Sequence, residues 1–129
     1  MKLQKGLTNE DCLVASFAMA CDVPIDGFNA GLPERGVHHI QECVIRAFEL
    51  GYAAVILHQE SVLIDSGCDT FINTNLHGYF DVAVPMVLIG TNHAVAYDGG
   101  VIFDPKGHEY DLKNRAQYKM IVLICKIEY

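Results

Sequence analysis

The chain has 129 residues, 51% of them hydrophobic, with 16 acidic side chains against 9 basic ones and a formal net charge of −7. That length suits a single domain, 1–129, which buries most of its apolar surface without staples. The apolar fraction excludes a disordered or low-complexity chain, and an acidic chain is a poor phosphate-tracking nucleic-acid binder. No stretch approaches the roughly 18–20 uninterrupted apolar residues of a bilayer span, so neither nucleic acid nor membrane is an expected partner. Nor does MKLQKGLTNEDCLVASFAMAC read as a secretory signal, because Glu10 and Asp11 abut the short apolar run.

In chain order, Thr8 and Asn9 are the first capping residues, and Thr8 with Asp11 resembles a capping box. They predict a first helix from about Asn9 or Glu10 to near Cys21, ahead of Pro24. DVPIDGFNAGLPERG, rich in proline and glycine, predicts a loop. VHHIQECVIRAFELG then carries apolar residues at Val37, Ile40, Val44, Ala47 and Phe48, with Gly51 placed to stop a second helix.

After Gly51 the period changes. Residues 52–57 (YAAVIL) read as a strand and 61–81 have no clear pattern. Segments 82–90, 93–97, 101–105 and 118–127 are β-rich, and the unbroken MIVLIC of the last predicts an interior strand buried on both faces. Helices first and antiparallel strands second make an α+β fold with the helices packed on the sheet.

Five cysteines (Cys12, Cys21, Cys43, Cys68 and Cys125) form an odd set without regular spacing, as expected of reduced thiols in a cytoplasmic compartment. No CxxC, HExxH or zinc-finger spacing occurs. His38 and His39 are adjacent on a predicted helix and diverge by about 100°. No metal and no cofactor is expected.

The chemistry concentrates in HAVAYDGGVIFDP. With Asp98-Gly99 as a two-residue hairpin loop, Tyr97 pairs with Gly100 and His93 stands directly opposite Asp104. The carboxylate then accepts a proton from one imidazole nitrogen, which fixes the tautomer and raises the basicity of the other. Cys12, near the start of the first helix, feels the positive end of the helix dipole, which favours its thiolate. Helix-start Cys, His and Asp, drawn from distant segments, form the pattern of a nucleophile, base and orienter. His108 is the chief rival imidazole; His58 and His77 have no carboxylate in register.

At these residues the chain resembles the papain-like cysteine peptidase superfamily, and most closely the small peptidases that remove double-glycine leaders from bacteriocins. The resemblance runs through Gln4, EDCLVASFAMA, FELGY, PMVLIG, HAVAYDGGVIFDP and the final apolar strand. It implies a papain-like α+β domain with Cys12 as nucleophile, His93 as base and Asp104 as orienter. It further implies Gln4 as an oxyanion-hole donor, and a peptide or protein substrate. The chain differs in placing Gln4 eight residues before Cys12, with Asn9 an alternative donor, and in having Leu13 where the leader peptidases have glycine. The implied activity is cysteine-dependent acyl transfer, foremost cleavage of a peptide or isopeptide bond. Glutamine deamidation or transglutamination uses the same scaffold, and so does a silent binding module.

Overall fold

The computed structural model describes residues 1–6, 11–33, 38–58, 83–112 and 118–128. The first helix, α1, spans Cys12–Ala20. It starts two to three residues later than predicted, with Asp11 before it; Thr8 and Asn9 lie outside the described residues. Val14 through Ala20 are all buried, which is what a helix apolar on every side requires. Its one buried hydroxyl is satisfied within the helix, where Ser16 Oγ donates to the Cys12 carbonyl at 2.6 Å.

Residues 25–29, predicted as loop, instead form a short helix, α2 (Ile25–Asn29). Pro24 ends what precedes it, but its own angles (φ −61°, ψ 146°) suit the position just before a helix. Ile25 and Phe28, three apart on one face, are both buried, and Phe28 lies against Phe17 with ring centroids 6.1 Å apart.

The predicted second helix is α3, Ile40–Glu49. It begins at Ile40 because His39 is still extended (φ −82°, ψ 156°), and the Glu42 carboxylate accepts the His39 N–H. Gly51 closes it at φ +93°, a conformation open to glycine and costly to other residues. The buried face differs from the predicted stripe. Cys43 and Ala47 are fully buried, whereas Phe48 is 64% exposed.

Among the described residues six strands follow: β1 (Tyr52–His58), β2 (Met86–Ile89), β3 (Ala94–Asp98), β4 (Val101–Asp104), β5 (His108–Asp111) and β6 (Met120–Lys126). Every pairing is antiparallel, in the order β1-β6-β2-β3-β4-β5. β6 is an interior strand, as its sequence predicts. Residues 83–85 stay outside β2, where Pro85 has no N–H to give a ladder, and residue 82 lies outside the described residues. Edge strand β5 (HEYD), exposed throughout, is not among the predicted strands because it lacks the apolar alternation by which strands are recognised.

The sheet is covered on both faces. Val87, Ala94, Val122 and Ile124 pack with α1, α2 and α3 in one core. Their sequence neighbours Met86, Leu88, Val95 and Ile121 form a second, opposite core with Tyr97 and Ile102. Successive residues enter the two cores alternately, as the period of two requires. α1 lies across β3, with α3 against β1, so the start of α1 is brought to the end of the sheet where β3 begins.

Candidate active site

Cys12 is the first residue of α1. The helix ladder opens with Ala15 N–H bonded to the Asp11 carbonyl at 2.8 Å, so the ladder does not use the amides of Cys12, Leu13 and Val14. Gly6 is held separately. Gly6 N–H donates to the Pro105 carbonyl at 2.8 Å, and a Cβ on Gly6 would collide with the Asp11 carboxylate. A side chain there would force the Asp11 carboxylate to shift, and the Gly6–Pro105 bond ties the start of the chain to the turn that follows Asp104.

His93 ends the tight turn between β2 and β3, where its carbonyl accepts the Gly90 N–H at 2.8 Å. Asp104 is the last residue of β4. His93 Nε2–H donates to Asp104 Oδ1 at 2.8 Å. The register differs from the one predicted. Tyr97 pairs with Ile102 and Asp98 with Val101, so the loop is Gly99-Gly100 and not Asp98-Gly99. Both loop residues have positive φ (57° and 93°), and two glycines meet that demand without the strain an aspartate brings. Moving a two-residue loop by one position shifts the partner of every residue by two, an even step. His93 and Asp104 therefore become diagonal neighbours but keep the same face, within reach of each other.

Asp104 is 6% exposed, and each of its oxygens is engaged. Besides His93, Oδ1 accepts the Lys106 backbone N–H at 2.9 Å, and Oδ2 accepts the Tyr110 hydroxyl at 3.0 Å. Burial alone raises the Asp104 carboxyl. The hydrogen bonds from Lys106, His93 and Tyr110 overcome it and leave the group below its ordinary value. The anion is the stable form, and it holds His93 with Nε2 protonated and Nδ1 as the available basic nitrogen. Tyr110 is the residue that sequence reasoning missed. It lies on the unpredicted β5, opposite Ile102 and thus diagonal to Asp104. His108, the rival imidazole, is exposed on the same edge strand.

Cys12 and His93 line one cleft of about 260 Å³, walled mainly by Leu13, Ile40, Ile89 and Met120. Gln4 is used differently from the expectation. Its amide nitrogen donates to the Val23 carbonyl at 2.7 Å and its oxygen accepts the Ile25 N–H at 2.9 Å. The turn between α1 and α2 leaves those backbone groups without ladder partners, and Gln4 satisfies both; it does not line the cleft. Asn9 lies outside the described residues. Of the other cysteines, Cys21 and Cys43 are buried with their thiols pushed up to about 12, Cys125 is half-buried, and Cys68 lies outside the described residues. Among the described residues, no cluster of His, Cys, Asp and Glu could hold a metal ion, and no helix is long and apolar enough to cross a membrane.

No protein-family model matches the chain, and no curated protein matches it either. Solved structures do. A double-glycine-motif protease from an AMS/PCAT transporter, crystallised with its leader peptide, matches 97% of this chain and 91% of its own, with a TM-score of 0.67 at 15% identity. The peptidase domain of Streptococcus ComA, a bifunctional ABC transporter of a quorum-sensing pathway, matches 97% and 98% respectively, with a TM-score of 0.65 at 13% identity. The chain has the papain-like fold of double-glycine peptidase domains over nearly its whole length, with the helices on an antiparallel sheet as its sequence predicts.

Proposed function

We propose that this protein is a cysteine peptidase that cleaves its substrate through a Cys12 thioester. The observation that carries the reading is the His93 Nε2–Asp104 Oδ1 bond of 2.8 Å at the rim of the cleft that Cys12 lines. Asp104 fixes the ring so that Nδ1 accepts the Cys12 proton. The resulting thiolate, at the positive end of α1, attacks the scissile carbonyl carbon. The oxyanion is stabilised by the Cys12 backbone N–H. His93 returns the proton to the leaving amine, and water, deprotonated by the same imidazole, hydrolyses the thioester and frees the thiol. A peptide substrate is supported by the leader peptide bound to the double-glycine protease that shares the fold.

The test needs no known substrate. With a Cys12–His93 pair, iodoacetamide labels Cys12 rapidly at neutral pH, and His93→Ala slows that labelling. Labelling of Cys12 at the same rate in the native protein and in His93→Ala would refute the pair.

A further inference from the structure

The two edges of the sheet are built differently. β5 is four residues long and carries His108, Glu109 and Asp111, and a short charged edge is one that natural sheets use to avoid pairing with another chain. β1, at the other edge, is seven residues long and contains no Asp, Glu, Lys, Arg or Pro. Ile127 N–H donates to the Gly51 carbonyl at 2.8 Å, one step before the Tyr52–Lys126 pair. Bonded and non-bonded pairs alternate along an antiparallel ladder. Residues 53, 55 and 57 therefore bond to β6, while Tyr52, Ala54, Ile56 and His58 turn their backbone N–H and C=O groups outward. No described residue pairs with that side of β1. Val55 and Ile56 are exposed, one on each face of the strand, and on α3, which packs against β1, Ile45 and Phe48 are more than half exposed.

We infer that this edge is a dimer interface, taken by β1 of a second copy of the chain in an antiparallel, two-fold arrangement that sets Val55 opposite Val55. The inference is independent of the peptidase reading. In that register Ala54 faces Ile56 and Tyr52 faces His58 of the other copy, so each outward-turned backbone pair meets another. The two sheets become one, and both α3 helices lie side by side on the same face, where Ile45 and Phe48 are withdrawn from water. What must be covered decides the occupant. A bare peptide strand satisfies the β1 backbone but leaves Ile45 and Phe48 exposed, whereas a second copy brings a helix layer as well. Charge agrees: two chains of net charge −7 repel each other, and least along a strand that has no Asp, Glu, Lys or Arg. Seven residues span roughly 23 Å and a strand with a helix above it stands roughly 20 Å tall, so each copy contributes about 500 Å². The total of about 1,000 Å² sits at the lower limit for a specific interface, so the dimer is a reversible one. Met120 lines the cleft and pairs with His58, so the two clefts lie toward opposite ends of the joined strands.

Sedimentation equilibrium of the full chain should show a monomer–dimer equilibrium with a Kd on the order of 1–100 μM. Ile56→Lys, which puts a charge on the edge, and Phe48→Ser, which removes apolar area from α3 alone, should each raise that Kd at least about tenfold. Val55→Cys gives a positive readout, because Cα atoms opposite each other in a non-bonded pair are about 4.5 Å apart, within disulfide range. Oxidised glutathione should link the two introduced thiols in a disulfide, its own disulfide being reduced to two glutathione thiols, and mass spectrometry of a digest should locate the bond. Melting temperatures identify any variant that fails to fold, and the other two still decide. A native chain that stays monomeric up to about 500 μM would overturn the interface. So would a dimer indifferent to both Ile56→Lys and Phe48→Ser, or cross-links found only at Cys12 or Cys125.

Discussion

Cys12 and Cys21 stand at the two ends of one helix, and their surroundings make them different reagents. Cys21 caps the C-terminal end, its N–H bonded to the Phe17 carbonyl, and its side chain is fully buried against α3 and the sheet. Burial pushes its thiol up to about 12, and the negative end of the helix dipole further disfavours an anion there. Cys43 is held up in the same range, by burial first and then by Glu42 and Cys21. Cys12 has the opposite setting on each count. It is half-buried, it opens the helix where the dipole is positive, and it shares a cleft with an imidazole whose far nitrogen is tied to a carboxylate. In the proposed reading, the position a thiol occupies on the helix decides whether it serves as a hydrophobe or as a nucleophile.

The contrast breaks most completely on single substitutions. Cys12→Ala should abolish covalent labelling and turnover, with little change in melting temperature, since alanine suits a helix start and the site is half-open. Cys21→Ala should do the reverse: activity persists, and stability falls by roughly 1–2 kcal/mol because the sulfur leaves a cavity. Thermal melts run beside an activity assay separate the two. A Cys21→Ala protein that folds but cannot turn over would put the nucleophile at the wrong end of the helix.

Asp104→Ala comes next, with an expected loss in turnover on the order of 10²–10⁴, the usual span for a positioned acid–base group. Asp104→Asn should retain more, because the amide oxygen still accepts from His93. The same residue sets an acid limit to stability. Its folded carboxyl titrates below the ordinary value, so the stabilisation is complete above the unfolded carboxylate pKa of about 3.9 and disappears as pH falls through the lower folded one. Melts between about pH 6 and pH 2 should therefore show a smaller acid-side loss for Asp104→Asn than for the native protein.

The buried thiols set the corresponding alkaline limit, and the effect is smaller. Folded Cys21 and Cys43 keep protons to about 12, whereas unfolded cysteines release theirs above about 8.5. Stability should be flat below that value and decline between it and 12. Cys21→Ala should shallow the decline. Under native conditions at neutral pH, iodoacetamide should enter at Cys12 and reach Cys21 and Cys43 only after denaturation.

The legible parts of the sequence are those with a strong period or a steric demand. α3 is announced by its stripe and Gly51, β6 by MIVLIC, and the β3–β4 hairpin by its glycines. The exact register was not legible, because Asp98-Gly99 and Gly99-Gly100 are both acceptable two-residue loops and only the lower strain of two glycines separates them. The His93–Asp104 contact is nevertheless present, since the two registers differ by an even step and leave both residues on one face. α2 is hidden by prolines and glycines, and β5 by polar residues that give a strand no periodic signature. With β5 hidden, Tyr110 is hidden too. Nothing local in HEYD says that a tyrosine will lie diagonal to an aspartate six residues earlier.

Tyr110 is where the comparison can be sharpened most finely. Its hydroxyl donates to Asp104 Oδ2 at 3.0 Å, and its own ionisation is pushed upward by burial and by the adjacent carboxylate. It does not line the cleft, so in the proposed mechanism its effect passes through Asp104 and His93. A hydrogen bond to a charged group is worth roughly 1.5–3 kcal/mol when sealed from water, but Tyr110 lies on an edge strand where water can take over part of the role. Tyr110→Phe should therefore lower kcat/KM by only about threefold to tenfold and leave the melting temperature near the native value. A merely structural tyrosine would give a similar number, so the pairing with Asp104 supplies the discriminating readout. In the native protein the loss of one donor should raise the Asp104 carboxyl, seen by NMR titration of that group. In an Asp104→Ala background, Tyr110→Phe should cost nothing further in kcat/KM, because the carboxylate it serves is gone. Equal losses in both backgrounds would show that Tyr110 acts independently of the His93–Asp104 pair.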